Sequence, residues 1–413
     1  MHSARTYESA RSHERQPWAG LPATRSARTD TAAAARVTPT LLESGASAYA
    51  RIVSRIEQSR RQIVVRCFDW RDDDSGDLIG RAVLRAAERG VRVDIYKDLV
   101  GASYEHFEAG KHSFFHKEIG AKSRFEVWFL RMVYRQGGPR KQERSELAEA
   151  ILGHPRITVH HDRRRFDHSK VYIFDDQRMI LGGMGIGDDF QLRNIDFMVE
   201  LDCREAVSRY HARNHGSACF DPSRRLDFML HNRSIDGRRG GSLLGDRLAL
   251  IDGAERSLSI EMAYLGDRRF TEALIRAVAR GVQVKLLAPE RANVLASLNR
   301  ACCDEILRRT GAPRNLRILL HPRMVHGKVM VVDHAIVEIG SANFTPISHG
   351  TYEEVDLYLR DHEFARIVEA AIERHSAGAA VYGARIPYNR VYQLFERSIV
   401  AYQARNGQRA PRA

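Results

Sequence analysis

The chain has 413 residues, 43% of them apolar, and carries a formal net charge of +13 with a pI near 9.7. That length favours two domains or two halves, and the charge asks for a polyanionic partner, nucleic acid or an anionic membrane surface. Five cysteines with no Cys-x-x-Cys pair argue against a zinc site or disulfide framework and for a reducing compartment. No apolar run approaches the ~20 residues of a bilayer span, so any membrane contact is expected to be peripheral.

Residues 1–36 are rich in Arg, Ser, Ala and Thr and lack the apolar core of a secretory signal, which predicts a disordered basic tail. A first half then spans 37–233. Tyr49, Ile52, Val53 and Ile56 have helical spacing, 62–68 reads as a strand, 78–89 as a helix closed by Gly90, and 91–96 as the next strand. Residues 234–245, with Gly237-Arg238-Arg239-Gly240-Gly241, read as a linker. The second half, 246–376, repeats the order: a strand at 257–262, then a helix running from Ala273 into Arg280-Gly281-Val282-Gln283-Val284. The first half has Arg89-Gly90-Val91-Arg92-Val93 at the matching place. Alternating strands and helices, given twice, predict an α/β fold built from two duplicated halves with mixed sheets. A helix and tail occupy 377–413, where Val391, Leu394, Phe395 and Ile399 form an apolar stripe expected to dock on its own domain.

The halves differ in one spacing. Gly90 to His168 is 78 residues, against 45 from Gly281 to His326. The excess points to an insertion at about 102–152, where His106, Phe107, Phe114, Phe115, Phe125, Trp128, Phe129 and Tyr134 are mixed with lysines and arginines. That mixture suits a membrane interface or single-stranded nucleic acid, and equally an ordinary helical insertion.

The chemistry lies in a motif present twice. His168-Ser169-Lys170 leads through apolar residues to Asp175 and then Gly182-Gly183; His326-Gly327-Lys328 leads to Asp333 and Gly340-Ser341. Alternation along a strand places His and Lys on one face. An imidazole beside a fixed cation suits phosphoryl transfer, where positioning and charge stabilisation carry the rate. An acid lies 28 residues beyond each histidine, Asp196 and Glu354. A catalytic imidazole needs such an acceptor to fix its tautomer and stabilise its cation.

This double His-x-Lys-x4-Asp-x6-Gly-[Ser/Gly] pattern resembles the phospholipase D superfamily, and over most of residues 40–375 the chain is most similar to bacterial cardiolipin synthases without transmembrane helices. The resemblance implies two halves packed face to face around one active site. It implies a phosphatidyltransferase acting on phospholipid phosphodiesters through a phosphohistidine, with some phospholipase D hydrolysis and no cofactor or metal, because Lys170 and Lys328 supply the charge. His168 and His326 should face one pocket, each near its own acid, Asp196 or Glu354. By resemblance His168 attacks and His326 is the acid, an order that the residues alone leave open. Ser341 and Asn343 are expected to donate to the phosphate, while Asp175 and Asp333 are structural. Gly183 and Gly185 stand where the second motif has Ser341 and Asn343, so those donors are missing from the first half. Arg163, Arg164 and Arg165 are candidates for a second phosphate or a headgroup. The implied location is cytoplasmic, peripheral to an anionic membrane. A nuclease or other phosphodiesterase uses the same residues, and a non-catalytic anion-binding scaffold is the third reading.

Overall fold

Both Arg-Gly-Val-x-Val stretches fold alike. Helix Asp74–Glu88 is capped by Asp73, whose carboxylate accepts from the Gly76 amide, and helix Arg268–Ala279 by Asp267, which accepts from the Arg269 amide. The Asp73 cap starts the first helix four residues earlier than apolar periodicity alone suggests. Ile79, Ala82, Val83 and Ala86 bury one face; Phe270, Ala273, Leu274 and Ala277 do the same in the second half. Each helix ends at a glycine in the left-handed region, Gly90 (φ +97°) and Gly281 (φ +92°). The next amides, Val91 and Val282, then reach back 3.1 Å to Ala86 and Ala277. Only glycine adopts that φ without strain, so the turn fixes where the following strand begins.

The computed structural model describes residues 37–107, 112–134, 145–163, 165–232 and 242–409. The expected tail and the core of the linker, Gly237 to Gly241, lie outside them. The first sheet comprises β1 (Pro39–Leu42), β2 (Gln62–Cys67), β3 (Arg92–Lys97), β4 (Ile157–His160), β5 (Val171–Phe174), β6 (Arg178–Gly182) and β7 (Met198–Leu201), in the order β1-β7-β6-β5-β2-β3-β4. The second comprises β8 (Leu226–His231), β9 (Ser257–Met262), β10 (Gln283–Pro289), β11 (Leu316–His321), β12 (Lys328–Val332), β13 (Ile336–Gly340), β14 (Glu354–Arg360) and β15 (Ala380–Tyr382), in the order β15-β11-β10-β9-β12-β13-β14-β8. The run β7-β6-β5-β2-β3-β4 matches β14-β13-β12-β9-β10-β11 strand for strand. β2, β3 and β4 are parallel, as are β9, β10 and β11, while the motif hairpins add antiparallel neighbours. β8 precedes the expected linker yet pairs with β14, so the second sheet recruits the end of the first half.

The sheets meet face to face. Val171, Ile173, Leu181 and Val199 from one pack with Val329, Val331, Ile339 and Leu357 from the other in a single buried cluster. Removing each such side chain from water contributes about 1.5–3 kcal/mol. Residues 37–413 accordingly form one compact unit.

Of the insertion's aromatic residues, Phe107, Phe114 and Phe115 join the interior, the last two packed on Trp70. Phe125, Trp128 and Phe129, on helix Ala121–Val133, are exposed. The C-terminal helix Arg390–Arg409 docks by a different register from the expected stripe: Val400 and Glu396 are buried, Val391 and Leu394 exposed.

Candidate active site

The motif acids close the far ends of the two hairpins. Asp175 and Asp176 both have positive φ (54° and 55°), as do Asp333 and His334 (53° and 57°). Two consecutive left-handed residues are the signature of the tight hairpin turn that matches strand twist. Asp175 accepts from the amides of Arg60, Arg61 and Gln62; Asp333 accepts from those of Glu255, Arg256 and Ser257. Each acid thus ties its hairpin to the start of the neighbouring β2 or β9.

At the other end of the hairpins stand the histidines. They lie just before β5 and β12 rather than inside them, and the opposite half supplies their backbone partner. His168 N–H donates to the Glu353 carbonyl (2.9 Å), and His326 N–H to that of Ile195 (2.6 Å). Parallel bridges join Asp167 to Glu353 and Ile195 to Val325. That register sets residue 354 beside 168 and residue 196 beside 326.

The acid pairing is therefore crossed, which corrects the expectation that each imidazole is served by its own half. His168 Nδ1 lies 3.1 Å from Glu354 Oε2, and His326 Nδ1 lies 2.6 Å from Asp196 Oδ2. Both carboxylates are fully buried, while the rings keep 13% and 10% exposure. With Nδ1 engaged, Nε2 of each ring is left toward the cavity. Lys170 donates to the His168 carbonyl (2.5 Å) and Lys328 to that of His326 (2.5 Å). Lys328 Nζ also approaches His326 Nδ1 and Nε2 at 3.0 and 3.2 Å.

Burial dominates the electrostatics. It pushes His326 down to about 4, with Lys328 adding to the shift and Asp196 opposing it. His168 goes well below its usual value through burial and the two lysines. Lys328 falls to about 8 through burial, Asp196 holding it up, and burial also lowers Lys170. Glu354 rises to about 7 through burial, with Lys170 and Ser341 pulling it back. Burial and the two lysines thus keep both imidazoles neutral, while each lysine is balanced by the buried acids around it.

Both histidines line one cavity of about 850 Å³. Asn343 lines it as well, and its buried side-chain oxygen has no partner among the described residues. Ser341 does not. Its hydroxyl donates to Glu354 Oε2 (2.6 Å) and accepts from the Val355 amide (3.0 Å), so its one proton is already engaged. Ser341 holds the acid of His168 and is corrected as a phosphate donor. In the first half Asp196 itself fills the matching space: a Cβ on Gly183 would lie 2.5 Å from Oδ1 of its carboxylate. A Cβ on Gly185 would lie 2.7 Å from the Phe190 ring, which packs edge-on against His326 at 5.4 Å. Gly185 thus makes room for Phe190. Phe190 stands 22 residues after His168, where the second half has Ser348, 22 after His326.

Several wall residues were not singled out from sequence. Tyr352 stacks on His168 (5.3 Å, 14°) and Phe68 meets the same ring edge-on (4.9 Å). Asp69 lines the cavity with one buried oxygen unpartnered among the described residues. Part of the wall is apolar, with Leu130, Leu295, Ile347 and Val400 among its residues. The lining arginines are Arg71, Arg193 and Arg323. Arg163 and Arg165 do not line the cavity, Arg165 being laid over Tyr96 at 5.5 Å; Arg164 lies outside the described residues.

A family model described as cardiolipin synthase, PLD-like domain, matches residues 52–214 and 248–376. Cardiolipin synthase A of Pseudomonas entomophila is 26% identical over 358 residues, covering 81% of this chain and 67% of that protein. Cardiolipin synthase B of Escherichia coli K12 is 24% identical over 355 residues, covering 78% and 76%. Among solved structures, phosphatidylserine synthase of Haemophilus influenzae superposes with a TM-score of 0.63 at 13% identity, over 90% of this chain and 95% of that one. That likeness extends the shared fold across both halves.

Proposed function

The chain belongs to the cardiolipin synthase family with PLD-like domains, and from that membership we propose that it is a phosphatidyltransferase, exchanging the alcohol on a phospholipid phosphodiester. The observation that carries the proposal is the single cavity in which two histidines, each backed by a buried acid, share the wall with apolar side chains such as Leu130, Leu295, Ile347 and Val400. A phosphodiester with acyl chains needs both parts of such a site. Arg193 and Arg323, exposed residues of the lining, suit a second phosphate on an acceptor phospholipid.

The reaction proceeds in two displacements. His168 Nε2 attacks phosphorus, a P–N bond forms, the P–O bond to the leaving alcohol breaks, and His326 Nε2–H gives that oxygen its proton. The acceptor hydroxyl then passes its proton to His326 and attacks phosphorus, and the P–N bond breaks. Water in place of the acceptor gives phospholipase D hydrolysis. Lys170, Lys328 and the Asn343 side chain stabilise the phosphoryl oxygens. The unequal acid contacts support this order of roles. The 2.6 Å contact of His326 with Asp196, against 3.1 Å for His168 with Glu354, suits a ring that must carry a proton. The incoming phosphate anion raises the pKa of the rings, which favours the protonated His326 that the first displacement needs.

No helix among the described residues is long and apolar enough to cross a membrane; in this reading the net charge of +13 draws the enzyme to an anionic membrane surface. The test is turnover. Purified protein is given labelled phosphatidylglycerol, phosphatidylethanolamine and single-stranded DNA. Transfer of the phosphatidyl group between lipids is the expected result; cleavage of DNA alone overturns it in favour of a nuclease.

A further inference from the structure

Helix Ala121–Val133 faces the opposite way from an ordinary surface helix. Phe125, Trp128, Phe129 and Met132 follow the i, i+3, i+4, i+7 spacing of one face, and that face is open to solvent at 65, 57, 36 and 56% exposure. The side it buries carries Ser123, Val127 and Arg131. Arg131 fixes this orientation. Its guanidinium is turned inward onto the carbonyls of Phe107 (3.0 Å) and His106. The C-terminal helix Arg390–Arg409 lies alongside, with Phe395 against Phe129 (5.8 Å) and the Tyr392 hydroxyl donating to the Val133 carbonyl (3.3 Å). Its Val391 and Leu394, 75% and 61% exposed, widen the patch. Contiguous exposed apolar surface of this kind marks an interaction site.

Two further observations identify the occupant. The same two helices run into the candidate active site, where Leu130 and Tyr134 of one and Ile399 and Val400 of the other line the cavity. The exposed charges on them are all positive: Lys122, Arg124, Arg390, Arg397 and Arg405, while Glu126 is half-buried and Glu396 buried. A second copy of this chain would set these cations against each other. An anionic bilayer offers them headgroups and offers the aromatic ridge an apolar layer.

We propose that these two helices form the membrane-docking surface. Phe125, Trp128, Met132, Val391 and Leu394 enter the interfacial layer, and the gap between the helices admits acyl chains to the cavity. This rests on the phospholipid reading of the site for its purpose, and its test is separable from that reading. Wild-type protein is mixed with phosphatidylglycerol-containing vesicles whose acyl chains carry bromine. Quenching of the fluorescence that Trp128→Phe abolishes is expected. The triple variant Phe125→Ser/Trp128→Ser/Met132→Ser should sediment with vesicles about tenfold less or weaker still, with an unchanged circular dichroism spectrum. It should turn over water-soluble dihexanoyl phosphatidylglycerol at the wild-type rate. Lys122→Glu/Arg124→Glu, which leaves the ridge intact, should also weaken sedimentation. Unquenched Trp128 in vesicle-bound protein, or equal sedimentation of wild type and triple variant, overturns the docking surface even if lipid is turned over. Self-association of the wild type that the triple variant loses, without quenching, overturns it in favour of a second copy. Quenching with no turnover of any lipid leaves the docking surface standing and refutes the phosphatidyltransferase reading.

Discussion

The two halves share one frame and surround it with opposite chemistry. Tyr49 and Arg247 stand at matching places, each five residues after a serine N-cap. Each donates to the carbonyl at the matching turn, Tyr49 to Gly185 (2.8 Å) and Arg247 to Asn343 (3.1 Å). Around Tyr49 the core is apolar: Ile180 and Met198 lie 12 and 30 residues beyond His168. At the same distances beyond His326 stand Glu338 and Asp356, and Arg247 lies 2.5 Å from the first and 3.9 Å from the second. Burial, opposed by Arg247, pushes both Glu338 and Asp356 up, so the two acids face one guanidinium. A phenol with two apolar neighbours can replace a guanidinium with two acids only if all three positions change together, because any one alone strands a buried charge. The turn that presents Asn343 is thus braced by charge, and the turn that presents Gly185 by one hydroxyl. The polar half faces the cavity with Asn343, and the apolar half faces it with Phe190.

The largest expected effect breaks the division of labour between the histidines. His168→Ala and His326→Ala should each lose turnover, by roughly 10²–10⁴-fold where a general acid or base is removed. His326→Ala should still trap a phosphatidyl adduct on His168 with a substrate whose alkoxide leaves readily. Intact mass after a quench, with and without acid, reads it; an adduct on His326 in the His168→Ala protein reverses the roles.

Next comes the brace. Arg247→Met should cost about 3–5 kcal/mol, since it leaves two buried acids without a cation. Tyr49→Phe should cost about 1–3 kcal/mol, since it removes a buried hydroxyl that donates to the Gly185 carbonyl and accepts from the Gly187 amide. Urea unfolding of the two variants compares them directly, and equal losses would erase the proposed difference between the halves.

The pH profile sharpens the contrast further. Glu354 loses its proton as pH rises through about 7, and Lys328 loses its own through about 8. The carboxylate–ammonium state of the free enzyme is therefore populated between them, and kcat/KM should fall on both sides. Ser341→Ala removes a hydrogen bond that favours the Glu354 carboxylate, so the acid limb should move up. A hydrogen bond of about 1 kcal/mol corresponds to somewhat under one pH unit. An unmoved limb would detach Ser341 from Glu354 in function.

The smallest expected effect is that of a chelator. With Lys170 and Lys328 supplying the charge, excess chelator should leave activity within about twofold, a span of about 0.4 kcal/mol in barrier. Loss restored by a divalent cation would assign the charge to a metal instead.

Much of the fold is local in origin and was legible for that reason. Apolar periodicity, Arg-Gly-Val-x-Val and the repeated His-Lys-Asp-Gly spacing are short-range patterns, each carried by one element and its turn. Asp175 and Asp333, structural acids by resemblance, sit in hairpin turns with two left-handed residues, a geometry set within a few positions. The start of helix Asp74–Glu88 was missed only because its first turn is polar and its cap, Asp73, outweighs that.

What the linear order determined is the inventory: two copies of an imidazole, an ammonium and an acid, on two matching α/β halves. What the tertiary structure alone decided is who serves whom. The bridges at Asp167–Glu353 and Ile195–Val325 cross the halves, so each histidine receives its acid from a residue 130 or 186 positions away. Ser341 turned from a phosphate donor into the partner of Glu354, and Gly185 from a missing donor into space for Phe190. The physical reason is common to all three. A side chain's role at a buried site is set by which neighbours desolvate it and claim its hydrogen bonds, and those neighbours come from the packing of one half on the other.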